Sequence, residues 1–130
     1  MRREFDLPAN DVEYLTSTGL NWETIVDGRA QWLLIHNRPT HIAYEPEVAL
    51  TALQIVPDYP DGALDMVWFF PSLGQKGGQA IRQLSTQLID GREFQRWSRH
   101  RTPENPWRPG LDDVGAHLIL VDHWLAREVA

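Results

Sequence analysis

The chain predicts an α+β domain: a short N-terminal helix, a four-stranded antiparallel meander, a further hairpin with a long loop, and a C-terminal helix. Three observations predict it. Helical periodicity is confined to the two ends. Period-two apolar runs separated by turn residues follow one another through the middle. The 130 residues suffice for one core and not two, so residues 1–130 are read as a single domain.

Leu7 to Leu15 reads as a helix. Pro8 suits its opening turn, Asn10 and Asp11 suit its positive end, and Gly19 stops it. Trp22 to Val26 is a strand, Asp27-Gly28 a hairpin turn, and Gln31 to His36 the partner strand. Pro39 breaks the pattern, so Arg38 to Pro46 is expected to be an irregular crossing. Glu47 to Val56 returns to period two through Val48, Leu50, Ala52 or Leu53, and Ile55. Pro57, Pro60 and Gly62 cannot continue it. Ala63 to Phe70 is nearly all apolar after Asp65, which predicts a central strand buried on both faces. Pro71 ends it, and Gly74 to Gly78 is expected to be a mobile loop.

Ile81, Leu84 and Leu88 have helical spacing, but Asp90-Gly91 is a strong reversal signal. A hairpin of Leu84–Ile89 against Arg92–Trp97 is the better reading. Three prolines make Arg101 to Gly110 a structured loop. Asp112 or Asp113 caps the last helix, whose stripe of Val114, Leu118, Val121 and Leu125 faces inward, with Arg127 at its negative end.

Composition narrows the function. Apolar residues make up 42% and charged residues 23%, the balance of a folded soluble protein. The longest apolar runs, Val67 to Pro71 and Leu118 to Val121, are far too short to span a membrane. The start Met1-Arg2-Arg3-Glu4-Phe5-Asp6 does not resemble a secretory signal, so a cytoplasmic location is expected. There are no cysteines, which excludes disulfides, thiolate metal sites and a thiol nucleophile. The net charge of −6 argues against a nucleic-acid coat. The segment Arg92 to Arg108 stands apart, with five arginines against two glutamates. That is +3, leaving −9 on the remainder, and it reads either as a recognition patch or as a solvated loop. Lys76 is the only lysine among 12 basic residues.

The densest cluster of chemistry is Arg96-Trp97-Ser98-Arg99-His100-Arg101, closing toward Trp107-Arg108-Pro109. Ser98 and His100 would share one side of an extended chain and Arg99 the other. A hydroxyl beside an imidazole is a minimal nucleophile and base, and guanidinium groups lower the cost of developing negative charge. The competing reading makes His100 a loop hydrogen-bonder and Ser98 a turn residue. His36 and His41 have no defined spacing and no carboxylate to complete a set. His117 is expected to bond a loop. No histidine spacing argues for a metal, and no phosphate-binding glycine loop is present. Trp97 and Trp107, flanked by arginines, are the tryptophans expected to meet a partner.

With these elements in place, the chain resembles the ubiquitin-conjugating (UBC) fold. Tyr59-Pro60 looks like its Tyr-Pro turn and Trp107-Arg108-Pro109 like its Trp-x-Pro segment. Leu7-Pro8 and Trp97-Ser98-Arg99-His100 are similar to segments of the cysteine-lacking prokaryotic UBC-like family E. The resemblance covers almost the whole chain. It implies a bacterial conjugation pathway whose other members are a ubiquitin-like protein, an activating-enzyme homologue and a deconjugating metalloprotease. Cofactor, metal, nucleic acid and membrane are not implied.

The departures are specific. The thioester cysteine is missing, the usual His-Pro-Asn triplet is absent between Pro71 and Gly78, and only one helix follows Trp107. The family's cysteine position, about eight residues before the Trp-x-Pro segment, falls at Arg99, beside Ser98. The resemblance therefore implies an oxyester-carrying acyltransferase. Ser98 would be the acyl carrier and His100 its base, with Arg96, Trp97, Arg99, Arg101 and Trp107 binding the modifier. A hydroxyl ionises far less readily than a thiol, so serine needs such a base. The rivals are a non-catalytic module that holds the modifier or scaffolds the activating enzyme, and single-stranded nucleic-acid binding through the Arg/Trp segment.

Overall fold

The computed structural model describes residues 1–130. The elements run α1 (Ala9–Ser17), β1 (Trp22–Asp27), β2 (Ala30–Pro39), β3 (Tyr44–Glu45), β4 (Val48–Ile55), β5 (Val67–Phe70), β6 (Gly74–Gln75), β7 (Leu84–Ile89), β8 (Arg92–Trp97) and α2 (Val114–Glu128). Six strands form an antiparallel sheet in the order β1-β2-β4-β5-β8-β7, and β3 pairs with β6 apart from it. The expected meander is therefore the first part of a larger sheet. The hairpin extends it, because β8 pairs with β5 through Val67–Trp97, Trp68–Arg96 and Phe69–Gln95.

The expectation of one core and not two is corrected: period-two alternation lets one sheet serve a core on each face. On β2, Leu33 and Ile35 face a core shared with α1 and α2, while Trp32 and Leu34 belong to a second cluster on the opposite face. On β5, Val67 and Phe69 go one way and Trp68 the other. That strand is central and buried on both faces, as its sequence predicts. Each fully buried aliphatic or aromatic side chain contributes roughly 1.5–3 kcal/mol. The α2 stripe of Val114, Leu118, Val121 and Leu125 lies in the first core.

No helix covers the second core; the sheet covers it by curling. Six strands laid flat would hold the two edges about 24 Å apart. Instead the β7–β8 turn meets the β1–β2 turn, with Asp90 N–H donating to Asp27 Oδ2 at 2.8 Å. Arg2 fastens the seam, bonding Glu23 on β1 (Nε–Oε1 2.8 Å) and Asp90 (Nη2–Oδ2 2.6 Å). Inside, Trp32 and Trp68 pack edge to face with centroids 4.8 Å apart.

At the hairpin tip Asp90 and Gly91 both take positive φ, 53° and 74°, the conformation a two-residue reversal requires. Three further expectations are corrected. β2 continues to Pro39, where a register shift between Ile35 and Arg38 accommodates Asn37 at φ 53°. This is a bulge, and Pro39 is tolerated at the strand's last pair. Strand β5 begins only at Val67, because Met66 sits at φ 58° and breaks the extension from Ala63. Gly74-Gln75 is not a mobile loop but pairs with Tyr44-Glu45. No helix is long and apolar enough to cross a membrane.

Candidate functional site

The segment after β8 carries the residues singled out by sequence. The strand ends at Trp97, and Arg99 N–H turns back to Trp97 O at 3.0 Å, which makes Ser98 the middle of a tight turn. Ser98 N–H donates to Gln83 O (3.1 Å), and Arg99 O accepts from Met66 N–H (3.2 Å). The turn is thus pinned to both neighbouring segments. Ser98 is half-buried, while the His100 side chain is 63% exposed.

The tight turn at Ser98 interrupts the extended chain on which Ser98 and His100 were expected to share a side. No hydrogen bond joins them. The partner of His100 is Asp65, with Nδ1 and Oδ2 2.8 Å apart. In the neutral ring this contact favours the tautomer with the proton on Nδ1, and Nε2 has no hydrogen-bond partner in the chain. Asp65 was not among the site residues expected from sequence. The only signal for it is that it is the one acidic residue in the run Ala63 to Phe70.

The arginines of the basic segment do not form one exposed patch. Arg92 pairs with Asp90 at 3.0 Å, and Arg96 Nε donates to Ser85 Oγ at 2.8 Å. Arg99 Nη2 pairs with Glu128 at 2.9 Å, and its Nη1 donates to Ser98 O at 3.3 Å. Arg101 lies 4.9 Å over the Trp107 ring and 3.9 Å from Asp112. Internal partners therefore satisfy much of the +3 segment.

Trp97 offers nothing to a partner. It is fully buried, its indole N–H donates to Gln95 Oε1 (2.9 Å), and it packs on Phe69 and Tyr44. Flanking arginines suggested a surface residue, but alternation on β8 puts Trp97 into the first core and Arg96, half-buried, on the opposite face. Trp107 is partly buried and its Nε1 donates to Pro60 O at 3.0 Å. The Tyr-Pro turn and the Trp-x-Pro segment therefore touch directly.

Below the loop, helix α2 is held by carboxylates. Asp113 is its N-cap, with Oδ1 accepting from Ala116 N–H at 2.9 Å. Asp11 of α1, 1% exposed, turns away from its own helix end and accepts from Val114 N–H (3.1 Å) and Tyr59 O–H (2.6 Å). Burial raises the pKa of Asp11 and of Tyr59. His117 is fully buried, bonds Met66 O through Nε2 at 2.9 Å, and is pushed down to about 4, chiefly by burial. It is a neutral core histidine. His36 does have a carboxylate partner, Glu23, at 2.6 Å. No cluster of side chains suits a metal ion.

The family model for prokaryotic E2 family E matches residues 7–128 of the chain. No curated protein and no solved structure matches it.

Proposed function

The chain belongs to prokaryotic E2 family E, and from that premise we propose that Ser98 carries the carboxyl terminus of a ubiquitin-like protein as an oxyester. Family membership implies an E2-like role in ubiquitin-like conjugation and, in general, dealings with a ubiquitin-like protein and an activating enzyme. The serine, in a chain without cysteine, is the step beyond it.

The observation that carries this reading is the Asp65–His100 pair. A carboxylate on Nδ1 orients an imidazole whose Nε2 can take a proton from a hydroxyl. Loading requires the Arg99–Asn105 loop to bring Nε2 within reach of Ser98 Oγ, the kind of tightening that accompanies substrate binding. The Ser98 proton then passes to Nε2, Oγ bonds to the activated carbonyl carbon, and the donor's leaving group departs with that proton. Transfer to an amine reverses the roles, with the Ser98 oxygen regaining a proton as it leaves. Arg99, whose Nη1 donates to the Ser98 backbone carbonyl, is the cation proposed to meet the developing oxyanion. Arg96, Arg101 and Trp107 are proposed to bind the modifier, in a single domain working in the bacterial cytoplasm. Trp97 drops out of that group, since it is fully buried.

The test is an incubation with the ubiquitin-like protein, activating enzyme and ATP. An alkali- and hydroxylamine-sensitive adduct is expected by mass, absent in Ser98→Ala. An adduct that persists in Ser98→Ala refutes the assignment. A second reading, a non-catalytic module that holds the modifier or scaffolds the activating enzyme, is favoured by the missing Ser98–His100 hydrogen bond. It predicts that Ser98→Ala keeps full function while charge reversal at Arg96 or Arg101 abolishes it.

A further inference from the structure

Between the loop that follows Ser98 and the last two turns of α2 lies a cavity of about 320 Å³, within the size range of small-molecule clefts. Its polar wall is His100, Arg101, Thr102, Asn105, His123 and Arg127. Leu120 and Trp124 supply the apolar part. No carboxylate lines it.

The cations around it divide into two groups. Arg99 and Arg82 share the single carboxylate of Glu128, at 2.9 and 3.7 Å. Arg127 has no ion-pair partner within 4 Å, and Arg101 has only a contact of 3.9 Å to Asp112, whose other oxygen also faces Arg108. The Arg101 side chain is 11% exposed, and its Nε and Nη2 are buried without a hydrogen-bond partner. A buried guanidinium with open donor sites is costly unless an acceptor meets it. Guanidinium forks match oxyanions that accept two parallel bonds. Two such groups on one cavity call for a double negative charge, which a phosphate supplies and a single carboxylate does not. Thr102 and Asn105 add neutral hydrogen-bonding groups.

We infer that this cavity is a binding site for a phosphate dianion, held by Arg101 and Arg127, with room for the organic part of a small phosphate monoester. The site shares His100 and Arg101 with the oxyester reading, but phosphate binding uses neither the Ser98 hydroxyl nor a protein partner.

The experiment is isothermal titration of the purified chain with AMP, inorganic phosphate, adenosine and acetate, in the absence of modifier and activating enzyme. AMP and phosphate are expected to bind saturably, with adenosine and acetate silent. Arg127→Gln is expected to weaken phosphate-bearing ligands at least tenfold. Arg127 is exposed, so this variant is expected to keep the circular dichroism of the parent; Arg127→Lys, retaining charge without the fork, should fall between the two. Tighter binding of AMP than of phosphate assigns the rest of the cavity to the organic group, and equal binding assigns free phosphate. The inference is overturned if neither ligand saturates, if acetate equals phosphate, or if Arg127→Gln leaves the affinity unchanged. Failure here leaves the adduct assay untouched, and loss of that adduct leaves this site standing.

Discussion

His100 and Asp65, 35 positions apart in the chain, meet with Nδ1 and Oδ2 2.8 Å from each other. Their side chains are 63% and 43% exposed, so the contact adds little to stability, at most about 1 kcal/mol. Its consequence is orientation of the ring. Asp65→Asn is therefore expected to leave the unfolding midpoint in place while slowing adduct formation by about tenfold, and His100→Gln by about a hundredfold. Single-turnover loading measured by mass spectrometry checks both. Equal loading rates in all three proteins would remove His100 from the chemistry.

The seam of the curled sheet depends on Arg2. Its guanidinium holds Glu23 and Asp90 each down to about 2, from ordinary values of 4.5 and 3.8. Arg2→Ala is expected to cost about 1 kcal/mol, because the arginine is 41% exposed and screened by solvent. The pH signature is more specific. Both carboxylates are depressed in the folded state, so their contribution is complete above pH 4.5 and is lost as pH falls through 2. Acid titration followed by circular dichroism should show a shallower decline between those values in Arg2→Ala. Amide exchange at the β7 edge should rise in the same variant.

His117 works over a different window. Its folded value of about 4 lies below the ordinary 6.5, so between these pH values the unfolded chain binds a proton that the native chain refuses. Stability is therefore lost as pH falls from 6.5 to 4, and no further below that. The loss amounts to a few kcal/mol at most. His117→Gln, able to donate to Met66 O, is expected to flatten urea midpoints between pH 7 and pH 4.5. An unchanged slope would mean that His117 is solvated.

Asp11 ties α1, the Tyr59-Pro60 turn and the start of α2 to one carboxylate. Asp11→Ala leaves Val114 N–H and Tyr59 O–H unpartnered in the interior and is expected to cost about 3 kcal/mol by urea denaturation. Tyr59→Phe, which removes one bond, should cost about 1 kcal/mol. Similar losses for both would place the stabilisation in the Tyr59 bond alone.

Much of the architecture was legible because it is local. Asp90-Gly91 specifies its reversal through positive φ at both positions. The α2 stripe specifies burial through its period, and the apolar run within Ala63 to Phe70 specifies burial on both faces, although the strand starts only at Val67. The paired strands Tyr44–Glu45 and Gly74–Gln75 were not legible, since two residues carry no periodicity. The burial of Trp97 is hidden in the sequence by its neighbouring arginines and follows only from the alternation of the strand.

The sequence by itself determined the order of the two helices and of the six strands of the main sheet, the absence of any thiol, and the family, because these follow from residue type and spacing along the chain. Only the tertiary structure decided that Asp65 serves His100, that Arg2 closes the sheet, and that Arg101 and Arg127 face one cavity. The first and third join loops to each other or to α2, and the second joins the two edges of a curled six-stranded sheet. Curl is a summed property of many weak packing preferences, and no single stretch of residues encodes it.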